Sequence, residues 1–154
     1  MEITCYTESL QYNLEAAARV IQEAISLKFK NNNFGISYDE FIILDEISHN
    51  PGILQIELAR KILKGRAYTG KFLSSLEDKG FIERRKSIKG KRQVIMPNYI
   101  TSNGRKVLKV GIETVRNFVD FVPTIENEKN IDYILTFMKK LKSEVQENYD
   151  VKFE

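Results

Sequence analysis

The sequence has few of the residues that build disulfides, metal sites and membrane spans. Its 154 residues include one cysteine, Cys5, and one histidine, His49. One cysteine excludes an intrachain disulfide, and this pair supplies too few soft ligands for a typical zinc site. No stretch approaches the roughly 18 apolar residues of a spanning helix. The acidic, polar start lacks the basic segment of a signal peptide. We therefore expect a cytoplasmic protein with no membrane contact, cofactor or metal.

Patterns typical of catalysis are also missing. No nucleophile–base pair, phosphate-cradling glycine loop or metal-ligand spacing stands out, so we do not expect an enzyme. Cys5 has Glu2 and Glu8 near it and no base close in sequence, so nothing is expected to lower its pKa. We interpret it as a plain terminal residue, with a redox sensor as the alternative. His49 suits a helix end, where a cation complements the helix dipole.

Positive charge, in contrast, is concentrated in one part of the chain. The chain as a whole carries a formal charge of +3. Between Arg60 and Arg92, however, twelve Lys and Arg residues face only three acids, a local charge of +9. A local basic field of this kind favours a polyanionic partner such as nucleic acid. The alternative is a basic but merely solvated surface.

Apolar spacing and capping signals predict six helices. The first covers 8–30, where apolar residues recur every three or four positions, and "NNNFG" ends it. Ser37 and Glu40 have the spacing of a capping box and begin a second helix that runs to about His49. Two short helices follow, about 55–63 and 66–79, and Gly80 ends the latter. Thr101 caps a fifth helix of about twenty residues that ends at Pro123, and the sixth covers about 126–146. The predicted apolar stripes are, for the first helix, Leu10, Leu14, Ala17, Ala18, Ile21, Ile25 and Phe29, and, for the sixth, Ile131, Ile134, Leu135, Met138, Leu141 and Val145.

A β-hairpin is predicted between the fourth and fifth helices. "FIERR" and "RQVIM" read as two short strands around a "KSIKG" loop, and Pro97 ends the second strand. The third and fourth helices with their tight turn form a helix-turn-helix, and the hairpin forms its wing. The predicted fold is thus mainly α with a small β-hairpin wing: a winged helix-turn-helix flanked by long N- and C-terminal helices. The fourth helix would be the recognition helix, which presents side chains to the major groove.

The segment "LARKILKGRAYTGKFLSSLEDKGFIERR", the basic wing, "ITSNGRKVL" and the final "ENEKNIDYILTFMKKLKSEV" together resemble the multiple antibiotic resistance regulator (MarR) family. The resemblance covers nearly the whole chain and implies one MarR-like domain over 1–154. It places the winged-helix DNA-binding region at about 36–100 and dimerisation helices at about 8–30 and 101–148. It further implies a homodimer that binds double-stranded DNA at a pseudo-palindromic operator, usually as a repressor. Many members release DNA when a small aromatic or anionic effector binds.

The resemblance also implies which residues contact DNA. On the recognition helix and the wing these are Arg66, Ala67, Tyr68, Gly70, Lys71, Ser74, Lys89, Lys91 and Arg92. The basic wing residue Lys86 is also predicted to contact DNA. The chain departs from the family pattern at Gly90, where an Asp is usual in the wing, and at Leu54, where a Ser or Thr often caps the third helix.

A winged helix that uses its basic face on an acidic protein partner is the alternative function.

Aromatic residues cluster on or near the first two helices. They are core or interface residues on one interpretation, and on the other they line an effector pocket between the dimerisation and DNA-binding regions. The set is Tyr6, Tyr12, Phe29, Phe34, Tyr38 and Phe41.

Overall fold

The computed structural model describes residues 5–33, 35–90, 93–119, 128–149 and 151–153. A single 3₁₀ turn, Tyr6–Glu8, precedes the first long helix. The remaining elements in chain order are α1 (Leu10–Asn32), α2 (Tyr38–His49), α3 (Gln55–Lys61), α4 (Arg66–Asp78), β1 (Ile82–Arg84), β2 (Ser87–Lys89), β3 (Gln93–Ile95), β4 (Asn98–Ile100), α5 (Ser102–Val119) and α6 (Glu128–Asn148). The predicted order of helices and wing is confirmed. Pro123 and the first two positions predicted for the sixth helix lie outside the described residues.

Local capping fixes where the helices begin and end. The Ser37–Glu40 capping box is present: Ser37 Oγ accepts from the Glu40 amide at 3.2 Å, and Glu40 Oε2 accepts from the Ser37 amide at 2.7 Å. The amide of Gly104 donates to Thr101 Oγ1 at 3.0 Å at the start of α5. The left-handed residue after α1 is Asn33, with φ 51°. These predicted caps are confirmed. They could be predicted because each depends only on residues close in sequence.

The turn of the helix-turn-helix begins earlier than the sequence predicts. α3 ends at Lys61, and Leu63 takes a left-handed conformation with φ 56°. The Lys64 amide donates to Ala59 O at 3.0 Å and the Leu63 amide to Arg60 O at 3.3 Å, which is the hydrogen-bond pattern of a Schellman motif. Leucine rarely adopts this conformation, so sequence alone favours continuing the helix here.

The wing has four short strands, where the sequence predicts two. β1 pairs antiparallel with β4 at its base, and β2 pairs with β3 nearer its tip. Two predictions are wrong in detail: Ser87–Lys89, assigned to the loop, is a strand, and Asn98–Ile100, placed beyond the second strand, is another. β3 ends at Ile95, two residues before Pro97, but the Pro97 carbonyl accepts from the Arg85 amide at 3.1 Å and the hairpin continues. Pro97 lacks an amide donor, which divides the ladder into two parts.

The core lies where α1, α2, α4 and α5 meet. Its most enclosed side chains include Phe29, Ile43, Leu44 and Leu76. α5 packs closely because Gly111 faces Phe41: a β-carbon at position 111 would lie 2.5 Å from Phe41 Cδ2. Apolar burial of this kind supplies most of the driving force for folding.

Two long helices keep apolar stripes outside this core. Of the apolar stripe predicted on α1, only Ile25 and Phe29 are buried, whereas Leu10 and Ile21 are exposed. On α6 the side chain of Leu135 is 51% exposed. The other exposed apolar residues of α6 are Tyr133, Ile134, Phe137, Met138 and Val145. In the part of the chain that the structure describes, no helix has the length and apolar character needed to cross a membrane.

Candidate nucleic-acid interface

The α4 helix has one buried and one exposed face. Thr69, Leu73 and Leu76 are buried, and Thr69 Oγ1 donates to Gly65 O at 3.0 Å in the first turn. The opposite face exposes four of the predicted contact residues: Arg66, Ala67, Lys71 and Ser74. This face carries the cationic and hydroxyl groups that read base edges and phosphates, together with a small residue that permits close approach.

Tyr68 lies at the edge of this face and is partly buried. Burial and a hydrogen bond to Asp39 of α2 raise the pKa of its phenol well above the usual range. The Lys64 ammonium lies 5.1 Å from the centre of the Tyr68 ring, and the Phe72 ring centre is 4.8 Å away. The structure therefore connects Tyr68 to α2, a role that the sequence did not indicate.

Gly70 has a packing partner inside the protein. A β-carbon at position 70 would lie 2.7 Å from Gln55 Nε2. The same Nε2 atom donates to Arg66 O at 2.9 Å, so the Gln55 side chain bridges α3 and the first turn of α4. Gln55 was not predicted as a functional residue, because nothing in its sequence neighbourhood indicates an interaction eleven positions away.

A buried carboxylate joins α2 to the end of α4. Glu40 Oε1 accepts from Ser75 Oγ at 2.6 Å and from Lys79 Nζ at 2.7 Å. Burial alone would raise the pKa of Glu40, but these hydrogen bonds and the one from the Ser37 amide outweigh it, so the pKa is lowered. Lys79 therefore serves the fold. Only the capping role of Glu40 was visible in the sequence.

Two basic residues, the last residue of β1 and the residue after it, are also paired within the protein. Arg84 Nε donates to Glu77 Oε2 at 2.7 Å, and its Nη2 lies 3.5 Å from Ser74 Oγ on the exposed face of α4. This pairing lowers the pKa of Glu77. Arg85 forms an ion pair with Glu83, and its guanidinium lies 4.5 Å from the centre of the Tyr99 ring. The Arg84 contacts fix the base of the wing against α4, whereas the Arg85 contacts join β1 to β4 within the wing.

Four further basic side chains of α4 and the wing are exposed, and together we call them the basic face. It comprises Arg66, Lys71, Lys86 and Lys89, all exposed, and none has an acidic partner among the described residues. Lys91 and Arg92, which were also predicted to contact DNA, lie outside the described residues. The structure thus separates the bases that stabilise the fold from those that face outward on α4 and the wing.

A groove of about 360 Å³ separates the start of α4 from the wing. Arg66 and Arg84 line it together with Gln55 and Asn98. Asn98 is fully buried; its Nδ2 donates to Ile53 O at 2.7 Å, which anchors β4 to the loop before α3. Side chains of α3, α4 and the wing therefore border one groove.

Two of the weaker predicted features also have a defined environment. Contrary to expectation, the pKa of the exposed Cys5 thiol is lowered, chiefly by the Thr7 hydroxyl at 3.0 Å. Phe29, Tyr38 and Phe41 form an aromatic cluster with ring centres 5.2 to 6.2 Å apart. Tyr6 and Tyr12 contact each other separately near the N-terminus, and Phe34 lies outside the described residues.

The described residues include no group of His, Cys, Asp or Glu side chains that could hold a metal ion.

Comparison with known proteins identifies the same domain. Residues 36–94 match the model of the MarR family. The HTH-type transcriptional regulator BilQ of Clostridium symbiosum is 29% identical over 107 residues, which cover 70% of this chain and 73% of BilQ.

Solved structures share the fold over most of the chain. A MarR family transcriptional regulator from Listeria monocytogenes, complexed with 26mer DNA, superposes with a TM-score of 0.79 at 20% identity and covers 92% of each chain. The MarR family protein Rv2887 of Mycobacterium tuberculosis, in complex with p-aminosalicylic acid, gives 0.68 at 25% identity, covering 87% of this chain and 98% of Rv2887. Residues 36–94 thus match the MarR family model, and the fold over most of the chain is that of solved MarR family structures.

Proposed function

We propose that this protein binds double-stranded DNA as a homodimer and represses transcription from a pseudo-palindromic operator. The observation that supports DNA binding most directly is the basic face. Lys79, Arg84 and Arg85 have carboxylate partners within the fold, whereas Arg66, Lys71, Lys86 and Lys89 have none among the described residues. Unpaired cations on a recognition helix and an adjacent wing match the charge of a phosphate backbone.

Different chemistry is expected from the two parts of the basic face. Arg66 and Lys71 lie on α4, where guanine edges are within reach of a helix in the major groove. Lys86 and Lys89 lie on the wing, whose contacts we assign to phosphates or the minor groove, as we do for Lys91 and Arg92. Ala67, Gly70 and Ser74 complete the proposed contact surface of α4, and Tyr68 supports it from the side.

A binding assay with the DNA upstream of the protein's own gene tests this proposal. Fluorescence anisotropy across a salt series should show tight binding to one fragment and weaker binding to random DNA. Log affinity should fall linearly with log salt, since cations on the protein displace condensed counterions. Equal, weak affinity for every fragment would contradict sequence-specific regulation and would favour an acidic protein partner for the basic face.

The exposed apolar stripes of α1 and α6 support the homodimer. Large contiguous apolar surfaces on a soluble chain mark interaction sites, and two copies can cover such stripes symmetrically. A two-fold dimer would present two α4 helices to successive major grooves, about 34 Å apart. Footprinting should then show two protected half-sites related by symmetry. Protection of a single half-turn without internal symmetry would contradict the dimeric arrangement.

We also propose that a small aromatic acid releases DNA. A cavity of about 310 Å³ lies between α1, α2 and the turn before α4, with Ile21, Tyr38 and Lys64 among its lining residues. Asp39 lines the same cavity and holds Tyr68 of α4, so a ligand there would act on the start of α4 directly. The ligand in the Rv2887 complex, p-aminosalicylic acid, has this chemistry.

Salicylate titration of the protein–DNA complex tests the effector proposal. Salicylate should weaken DNA binding by the unmodified protein and by a Lys61→Ala control. It should act less on Lys64→Ala, which lacks the ammonium group that would pair with the carboxylate. If salicylate and a panel of related aromatic acids leave the affinity unchanged, this part of the proposal is wrong.

A further inference from the structure

The contact between Gln55 and Gly70 connects the two helices of the helix-turn-helix through their exposed side. Gln55 is the first residue of α3, and its Nε2 donates to Arg66 O at 2.9 Å. Within α4 the Gly70 amide also points to that carbonyl, because it is the residue four positions earlier. The Gln55 amide can share the carbonyl only by lying over the α-carbon of Gly70.

This arrangement gives a reason for glycine at position 70. Glycine destabilises a helix interior relative to alanine, so its presence in α4 needs an explanation. A β-carbon at position 70 would lie 2.7 Å from Gln55 Nε2, closer than real β-carbon contacts. Gln55 Nε2 would have to shift, which would disturb its hydrogen bond to Arg66 O. The alternative explanation is that DNA itself approaches the α4 backbone at Gly70.

We propose that Gln55 is a positioning residue for DNA recognition and that Gly70 is a glycine in order to accommodate it. The inference rests on the proposed DNA-binding function. By holding the carbonyl of Arg66, Gln55 fixes the first turn of α4, from which Arg66 and Ala67 project outward. It also lines the groove between α4 and the wing, on the surface that would face DNA. Gln55 therefore sets the direction in which the first base-reading side chains leave the helix.

A double-mutant cycle of thermal stability separates the two explanations without any DNA. In the Gln55→Ala background, Gly70→Ala should raise Tm, because alanine is the better helix former and no side chain opposes it. In the otherwise unmodified protein, the same change should raise Tm less or lower it. An equal change of Tm in both backgrounds would show that Gln55 does not explain Gly70.

Binding measurements then test the positioning role. The preferred DNA sequence is first selected from a random library with the unmodified protein. Gln55→Ala should lower affinity for that sequence roughly two- to tenfold, the range expected for one hydrogen bond. Affinity for random DNA and the salt slope should stay unchanged, because no phosphate contact is removed. Gln55→Met, which keeps the length of the side chain without adding a charge and cannot donate to a carbonyl, should behave in the same way.

Controls and contrary results are specific to this inference. Asn31→Ala, the control, removes an exposed amide at the end of α1. It should change neither Tm nor the affinity for the selected DNA sequence. Gly70→Ala should weaken specific binding in the unmodified background and add no further loss to Gln55→Ala. An equal loss in both backgrounds would assign Gly70 to close DNA approach and overturn the proposal. If the unmodified protein selects no sequence, the proposed function fails, while the Tm cycle still decides the role of Gly70.

Discussion

At the scale of single residues, charge type alone does not indicate role in this protein. Arg66 and Arg84 have the same side chain and line the same groove, yet Arg84 is paired with Glu77 and Arg66 has no acidic partner among the described residues. Likewise Lys79 has a buried carboxylate partner, whereas Lys71 of α4 has no acidic partner among the described residues. The position of each acid in the tertiary structure decides which cations remain available.

Replacing Arg66 with alanine should reduce specific DNA binding. We expect a loss of about 1–3 kcal/mol on the preferred sequence, with a smaller loss on random DNA, because an arginine on the exposed face of α4 can contact a base edge. Competition binding with both DNAs measures the ratio of affinity for the preferred sequence to affinity for random DNA. Lys61→Ala is the control, since Lys61 lies 3.5 Å from Glu46, away from the basic face. Equal losses on both DNAs would reassign Arg66 to phosphate contact.

Replacing Glu40 with glutamine should destabilise the fold in a pH-dependent way. At neutral pH we expect a loss of about 1–3 kcal/mol in the free energy of unfolding, since the hydrogen bonds to Lys79 and Ser75 are weakened. The pKa of Glu40 in the fold lies below its ordinary value of 4.5, so the unfolded chain takes up the proton first as pH falls. The stabilisation is therefore complete above about pH 4.5 and is lost as the pH falls through the folded-state pKa.

Urea unfolding between pH 7 and pH 3 measures this difference. The stability gap between the unmodified protein and Glu40→Gln should narrow at the acid end. Glu23→Gln, which alters an exposed carboxylate of α1, should leave the stability nearly unchanged. A gap that stays constant or widens on acidification would show that the Glu40 carboxylate does not stabilise the fold through these hydrogen bonds.

At the scale of elements, α4 and the wing form one connected unit. Arg84 contacts Glu77 and Ser74 of α4, and Asn98 anchors β4 to the loop before α3. The tip, in contrast, exposes Lys86 and Lys89 on and beside β2. A fixed base with a basic tip suits contacts that orient the protein on the backbone, whereas α4 suits base contacts.

Removing cations from the wing should weaken binding to all DNA sequences alike. Lys89→Ala and Lys91→Ala should each reduce the slope of log affinity against log salt by about one, because each removes one phosphate contact. The salt series is repeated with the preferred sequence and with random DNA. Lys30→Ala, an exposed lysine of α1, is the control. Wing variants that abolish the preference for the selected sequence would show that the wing, rather than α4, reads it.

At the scale of the whole molecule, the apolar surface of one chain is incompletely covered. The winged-helix core is closed around α2, α4 and α5, but α6 exposes an apolar stripe along its length, which includes Ile134, Leu135, Met138 and Val145. The N-terminal half of α1 exposes another that includes Leu10, Val20 and Ile21. Burying these stripes in a second copy would remove apolar surface from water, the main driving force of association.

Introducing a charge into the α6 stripe should separate the proposed dimer. Leu135→Glu should yield a monomer in sedimentation equilibrium, because an unpaired carboxylate would be buried at the interface. Lys139→Glu, which changes charge outside the apolar stripe of α6, should remain dimeric. DNA affinity of the monomer should fall sharply, as one half-site is lost, and deleting 126–154 should have the same effect. A monomer with full operator affinity would contradict the proposal.

Sequence alone determined the features that depend on near neighbours. The order of helices, the Ser37–Glu40 capping box, the Thr101 cap and the end of α4 at Gly80 follow from residues within a few positions of one another. The exposed face of α4 was also predicted, since helical spacing separates it from the buried Leu73 and Leu76. The concentration of positive charge was visible without any structure.

Only the tertiary structure decided which of these residues are free to act. The pairing of Arg84 and Lys79, the bridge from Gln55 to Arg66 and the contact of Tyr68 with Asp39 join residues whose partners no local pattern identifies. The apolar stripe of α1 shows the same limit. Its spacing predicts a helix with one apolar side. Whether that side meets the core of its own chain or stays exposed depends on where α2 and α5 end. The ends of these helices relative to α1 are a property of the packed fold.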